Sequence, residues 1–355
     1  MAADRRSPSD PGGGAVAPHP APGEEPPADG ARRSGRRTVA AGVLVGAVIG
    51  LTCVAFVVQR MTAQWSEVRD EVADASLGWV AAALVLAAAG MTWVAACWRR
   101  ALALSGPPPA LSQTVAWYYA GEIGKYVPGG VWPVLGRGEL ARRGGVPRGR
   151  AYPSVGLSLA ALYLAALAFA TVLVPLDLAE QSESPAALAL LGLLPLGLAA
   201  LHPRVLLPAR RLVVRLTGRG GDVVVPPWRA TVGLVAAYVP SWVLITAATW
   251  CTARALVPDP PLLRIGIATA LSWTAGFVAV PVPAGTGVRE AVFLAASGLP
   301  SGLGATVAVG SRLAFLVVDV LGAVVTAPAL RGARRARPAP AEPADPDREP
   351  AAARP

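Results

Sequence analysis

Leu303–Pro328 reads LGATVAVGSRLAFLVVDVLGAVVTAP, an apolar run whose only ionisable residues are Arg312 and Asp319. About 20 apolar residues, at 1.5 Å each, cover a hydrocarbon core of about 30 Å, so this stretch is long enough to cross a bilayer as a helix. Six more segments share its character: 38–59, 78–98, 152–175, 185–201, 230–250 and 265–282. Two further apolar stretches, 111–136 and 290–300, are interrupted by Gly and Pro. The fold class expected is therefore all-α: a polytopic transmembrane helix bundle of about 7–10 membrane segments, one or two of them re-entrant or broken.

Composition supports this. The 355 residues are 54% hydrophobic and only 15% charged, where a soluble domain carries roughly a quarter charged. Residues 1–37 and 331–355 are rich in Pro, Gly, Ala and Arg and poor in large apolar side chains, and both read as disordered cytoplasmic tails. The membrane domain is 38–330, and its connections leave no room for a folded soluble domain. The net charge of +10 sits mostly in arginine clusters beside apolar runs. There it orients the chain and meets anionic lipid, so nucleic acid is not an expected partner. Cys53, Cys97 and Cys251 have no CxxC spacing and read as packing residues.

Arginine placement sets the expected topology. Arg32, Arg33, Arg36 and Arg37 precede the first apolar run, placing the N-terminus in the cytoplasm of a plasma-membrane protein. The clusters at Arg99–Arg100, Arg142–Arg150, Arg204–Arg219 and Arg331–Arg337 mark the same side, and the acidic loops at Glu67–Asp74 and Asp177–Glu183 the other. Segment 111–136 has basic residues at both ends, which a re-entrant hairpin from the cytoplasmic side accommodates better than a crossing does. Six crossings up to Val282 return the chain inside near Pro283–Glu290. The segment 290–328 then goes out and back, or begins with a second half-helix. Irregular backbone at membrane depth is tolerated where protein buries it or where it lines a wet cavity, so two such breaks point to a substrate pathway. A pair of cytoplasmic loops with helix-breaking residues has the same spacing.

Two motifs frame these breaks. The first is Gly121-Glu-Ile-Gly-Lys-Tyr-Val-Pro-Gly-Gly-Val-Trp-Pro133, followed by Gly136-Arg-Gly-Glu-Leu-Ala-Arg-Arg143. The second is Pro281-Val-Pro-Ala-Gly-Thr-Gly-Val-Arg-Glu-Ala291, and Arg312 follows in the last apolar run. Together, over about 110–328, they resemble the lysylphosphatidylglycerol synthase transmembrane (flippase-like) domain family. Ala284 and Thr286 depart from that family's Pro-Gly-Gly-x-Gly run, while Gly285 and Gly287 keep the turn. The resemblance implies a multi-helix domain that, in bifunctional members, translocates an aminoacylated phospholipid. The aminoacyl-transferase domain of those members is absent from these 355 residues, so aminoacyl-lipid synthesis is not implied.

Charges inside or beside the spans are costly and pair or face water. Glu122 and Lys125 (i,i+3) share a helix face, as do Arg312 and Asp319 (i,i+7). The functional reading places Lys125, Arg137, Glu139, Arg289, Glu290, Arg312 and Asp319 around an anionic lipid headgroup. Guanidinium groups would grip phosphate, and turns at Pro128-Gly129-Gly130 and Pro283, Gly285 and Gly287 would add backbone N–H groups. The plainer reading makes Arg312 and Asp319 an internal ion pair and leaves Arg137, Arg289 and Glu290 as solvated loop-end charges. The tryptophans at 93, 98, 117, 132, 228, 242, 250 and 273 read as interfacial anchors, with Tyr118, Tyr119 and Tyr126 doing the same for the hairpin.

The sequence has no Asp-rich pyrophosphate motif, GxSxG, Walker element or histidine cluster. It is thus expected to be no enzyme, to need no cofactor or metal, and to take membrane lipids as partners. The leading function is flipping or binding an anionic phospholipid, glycolipid or polyprenyl-linked intermediate. A non-catalytic partner of a separately encoded glycosyltransferase or lipid synthase is the alternative, and a lipid-modifying enzyme fits less well. Which lipid, the direction and energy of transport, and the oligomeric state are not written in the sequence.

Overall fold

A computed structural model describes residues 75–126, 131–180, 195, 199, 202–217, 225–279 and 287–335. The expected span 38–59, nearly all of 185–201, the tails 1–37 and 336–355, and the turn residues Pro128, Gly129, Gly130, Pro283 and Gly285 lie outside the described residues. What is described is all helical: α1 Leu77–Ala103, α2 Leu111–Glu122 running into a 3-10 turn Ile123–Tyr126, α3 Trp132–Arg143, α4 Arg148–Glu180, α5 Pro203–Thr217, α6 Trp228–Arg254, α7 Leu262–Val278, α8 Val288–Ala296 and α9 Ser301–Arg335. Within α1, α4, α6 and α9 lie stretches long and apolar enough to cross a membrane, the last running to Leu330. The last helix continues five residues past the expected domain edge at 330.

The sense of each helix follows from its contacts. Ser76 N–H donates to the Ala255 carbonyl (3.1 Å) at one end, while Trp93 Nε1 and Cys97 Sγ donate to the Ala237 carbonyl (2.9 and 3.1 Å) toward the other, so α1 and α6 are antiparallel. Small residues let them approach: Gly90 lies against Leu244 and Ile245, the close packing expected where lipid supplies no hydrophobic drive between helices. The exit of α1 meets the start of α4, where Arg150 donates to the Leu102 and Pro107 carbonyls (3.2 and 3.1 Å) and Trp98 Nε1 to Ser154 Oγ (3.1 Å). Arg99, Arg100, Arg148, Arg150 and Arg229 thus gather at one end of the bundle. At the opposite end Asp177, late in α4, pairs with Arg264 at the start of α7 (3.5 Å).

Two helical hairpins enter this frame from opposite ends. The first is α2–α3, two 12-residue helices packed on each other. At about 18 Å each they are too short to cross. Both ends of the hairpin lie at the arginine-rich end, where Arg99 Nε donates to the Pro109 carbonyl (2.6 Å). This is the hairpin the charge pattern calls for. The second hairpin, α7–α8, corrects the expectation that 265–282 crosses fully. The helix α7 stops at Val278, ahead of Pro281 and Pro283, whose rings oppose helical continuation. Its last turns touch the middles of other helices: Trp273 lies edge-on to Trp242 of α6 and Phe315 of α9 (5.8 and 5.0 Å), and Phe277 stacks on Tyr163 of α4 (4.1 Å). The chain then returns through α8, whose exit turn at Gly298 packs on the Arg264 side chain. Of the second motif, Gly287 to Ala291 are described and open this returning arm, to which 290–296 belong.

The outer surface is apolar. Leu313, Val317, Val320, Leu321, Val324 and Val325 form an exposed stripe along α9, the last 74% exposed, while Phe315, Val318 and Asp319 point inward. Polar groups inside and a wide apolar face outside reverse the pattern of a water-soluble helix.

The aromatic residues need a second correction. Trp98, Trp117 and Trp242 are buried in the core, as are Tyr118 and Tyr119. Trp242 Nε1 donates to the Leu162 carbonyl (2.8 Å) and Tyr119 Oη meets Thr92 Oγ1 (3.0 Å). With internal partners for their N–H and O–H groups, these rings fill the space between small-residue helices and do not anchor at an interface. Trp93 and Trp132 are exposed, as an anchor would be. Cys97 and Cys251 are free and buried, as packing residues should be.

Candidate functional site: two charge clusters joined by one helix

The first cluster forms where the α2–α3 hairpin meets α9. Glu122 ends α2 and Lys125 follows in the 3-10 turn, which puts them on one side (3.2 Å). Lys125 Nζ also reaches Asp319 Oδ2 on α9 (2.6 Å), and Arg137 Nη2 of α3 lies 3.6 Å from Glu122 Oε1. Asp319 and Arg137 are 0% and 2% exposed. The Arg137 guanidinium also lies over the Tyr118 and Trp98 rings (5.4 and 6.0 Å). Glycines of the first motif make this fit: a Cβ on Gly121 would overlap the Arg137 side chain, and one on Gly124 would crowd Trp132 and Pro133. Two acids and two bases sum to zero, as burial at mid-bundle demands.

The second cluster lines a half-open recess between α7, α8 and α9. Arg289, Glu290 and Arg312 supply its charges, and Thr269, Ser272 and Ser311 its hydroxyls, beside Trp273 and Phe293. Glu290 works in two directions. One carboxylate oxygen accepts the N–H of Gly287, the residue before α8, and the other accepts from Arg312 Nη1. Gly287 has φ +82°, a left-handed conformation glycine tolerates best, as the second motif requires. Arg289 places its guanidinium 4.3 Å from the centre of the Trp273 ring, a cation–π contact. Among the described residues that line it, two bases and one acid sum to +1.

The two clusters share α9. Arg312 and Asp319 stand seven residues apart, about 10.5 Å along the axis. The ion pair expected within this helix gives way to two pairs between elements: Arg312 holds Glu290 of the second hairpin, and Asp319 holds Lys125 of the first.

The predicted site is thus divided. Arg289, Glu290 and Arg312 come together in the recess. Lys125, Arg137 and Asp319 belong to the neutral cluster and are not among the recess-lining residues. Glu139 joins neither: it takes two hydrogen bonds from Arg142 (2.8 and 2.7 Å), one from Arg143 (2.8 Å) and one from Tyr152 (3.0 Å) at the arginine-rich end. The hydrogen bonds from Arg142 and then Arg143 hold its carboxyl far below the usual carboxylate range. Arg137 and Glu290 are buried, so neither is a solvated loop-end charge. The recess hydroxyls went unread in the sequence. Their signal was faint: Thr269, Ser272 and Trp273 fall three and four residues apart on α7, one polar strip on an otherwise apolar helix.

A bundle of apolar crossings, with two half-helix hairpins and charge held in the interior, defines an integral membrane protein. The chain belongs to the family described as the lysylphosphatidylglycerol synthase TM region, whose model matches residues 40–323. No curated protein matches it.

Proposed function

We propose that this protein translocates an anionic lipid across the bilayer, receiving its phosphate in the recess formed by Arg289, Glu290 and Arg312. The observation that carries the proposal is a hydroxyl-lined recess between the two arms of a half-helix hairpin and α9, whose described charges are two arginines and one glutamate. Discontinuous helices meeting from opposite sides are a recurrent way of building a lipid or solute pathway through membrane depth. Arg312 already grips a carboxylate, and a phosphate offers the same guanidinium more acceptor oxygens, so the headgroup can exchange with Glu290. Arg289, spread on Trp273, would meet the same anion from α8. No chemical step on the lipid is needed, and the arginine-rich end would face the cytoplasm of the cell membrane, with both termini on that side.

The test is reconstitution into vesicles containing a fluorescent phosphatidylglycerol, with the accessible label quenched by dithionite. Wild-type protein should equilibrate the label between leaflets. Removing one charge-assisted hydrogen bond costs about 1.5–3 kcal/mol, so Arg312→Leu should slow the initial rate by about 10- to 100-fold at equal incorporation. An Arg312→Leu protein that incorporates normally and flips at the wild-type rate would remove the recess from the mechanism.

A further inference from the structure

The helix α5, Pro203–Thr217, carries four arginines and no acid in fifteen residues. At about 100° per residue, Arg204, Arg211 and Arg215 fall in a stripe roughly 40° wide, while Leu206, Ala209, Val213 and Leu216 gather on the far side. Arg210 falls at the edge of that far side. Among the described residues no other helix packs along α5. Val205 and Leu207, which flank the arginine stripe on either side, are 50% and 39% exposed, and Arg204, Arg211 and Arg215 are exposed as well. At about 22 Å, α5 is too short to cross the membrane.

Its position is fixed at the N-terminal side. His202 Nδ1 accepts the Arg204 N–H (3.1 Å), satisfying one donor of the first turn. The same imidazole stands 5.1 Å from the ring of Trp228, which opens α6. Trp228 lies at the arginine-rich end, so α5 leaves the bundle at the level where the crossings end. Four cationic side chains without one anion complement a negatively charged surface, and a one-sided apolar face suits a boundary between water and hydrocarbon.

We propose that α5 lies in the plane of the membrane interface at the arginine-rich end. Its leucine and valine face enters the headgroup–acyl boundary, and Arg204, Arg211 and Arg215 bind anionic phospholipid headgroups. This surface is separate from the recess and does not depend on lipid translocation.

The test uses the full chain in nanodiscs, with an environment-sensitive fluorophore on Leu206→Cys in a Cys53→Ala background, Cys97 and Cys251 being buried. In discs containing 30% phosphatidylglycerol, spin-labelled lipid should quench the fluorophore and aqueous iodide should not. Each arginine near an anionic surface contributes about fivefold. Arg204→Gln, Arg211→Gln and Arg215→Gln together should therefore lower the docked-to-free ratio on the order of 100-fold. The corresponding triple lysine variant should stay docked, which separates charge from folding. Equal iodide access in phosphatidylglycerol and pure phosphatidylcholine discs would overturn the proposal. Shielding from both quenchers in both lipids would overturn it too, by assigning the face to another protein surface.

Discussion

Replacing Asp319 by Asn tests whether the neutral cluster is held by its charge balance. Asp319 is fully buried, with Lys125 Nζ at 2.6 Å. At an effective dielectric of about 20 that separation is worth roughly 6 kcal/mol of attraction, much of it offset by desolvation. Among the described groups of the cluster, Asp319→Asn leaves one acid, Glu122, to two bases, a net +1 where the sum was zero. Removing one partner of a buried pair costs about 3–5 kcal/mol. In a large domain each kcal/mol moves Tm by about 2–4 °C, so the loss should be on the order of 10 °C. Adding Lys125→Met removes the surplus charge and leaves Glu122 beside Arg137 (3.6 Å), again neutral. The double variant should recover most of the loss, because a buried pair exchanged whole is often close to neutral. Thermal unfolding followed by fluorescence-detected size exclusion measures all three proteins. Additive losses, with the double variant worse than Asp319→Asn, would refute the charge-balance reasoning.

Two further outcomes are expected. Gly322→Ala should destabilise the protein by about 1–3 kcal/mol, since the added methyl would overlap the Tyr119 ring, which cannot retreat while Oη bonds Thr92 and the Ala88 carbonyl; an unchanged unfolding temperature would contradict that packing. The depressed Glu139 carboxyl contributes its interaction above the unfolded carboxylate range, about pH 4.3, and loses it only as pH falls through the lower folded value. Glu139→Gln should therefore shift the unfolding temperature by the same amount at pH 6 and pH 8, and a difference that grows across that interval would contradict the assignment.

The sequence determined the fold class and half of the hairpin architecture. Runs such as Leu303–Pro328 are too long and too apolar for a soluble core, and backbone in hydrocarbon must satisfy its own hydrogen bonds, so helices were the available answer. Arginines on both sides of 111–136 sufficed to predict the first hairpin, because charge resists translocation whatever the packing. The Gly/Pro motifs likewise marked where helices break. Tertiary structure decided partners. Glu122 and Lys125 pair as their spacing allows, but whether Asp319 turns to Arg312 on its own helix or to Lys125 across the bundle depends on which hairpin tip arrives beside it. The depth of α7 was hidden for the same reason, since 265–282 has the composition of a full crossing and only Trp273 and Phe277, docked on mid-helix residues, show where it stops. Periodicity and charge act along the chain and can be read from it. The pairing of buried charges and the burial of Trp98, Trp117 and Trp242 arise between helices far apart in sequence, and exist only once those helices have packed.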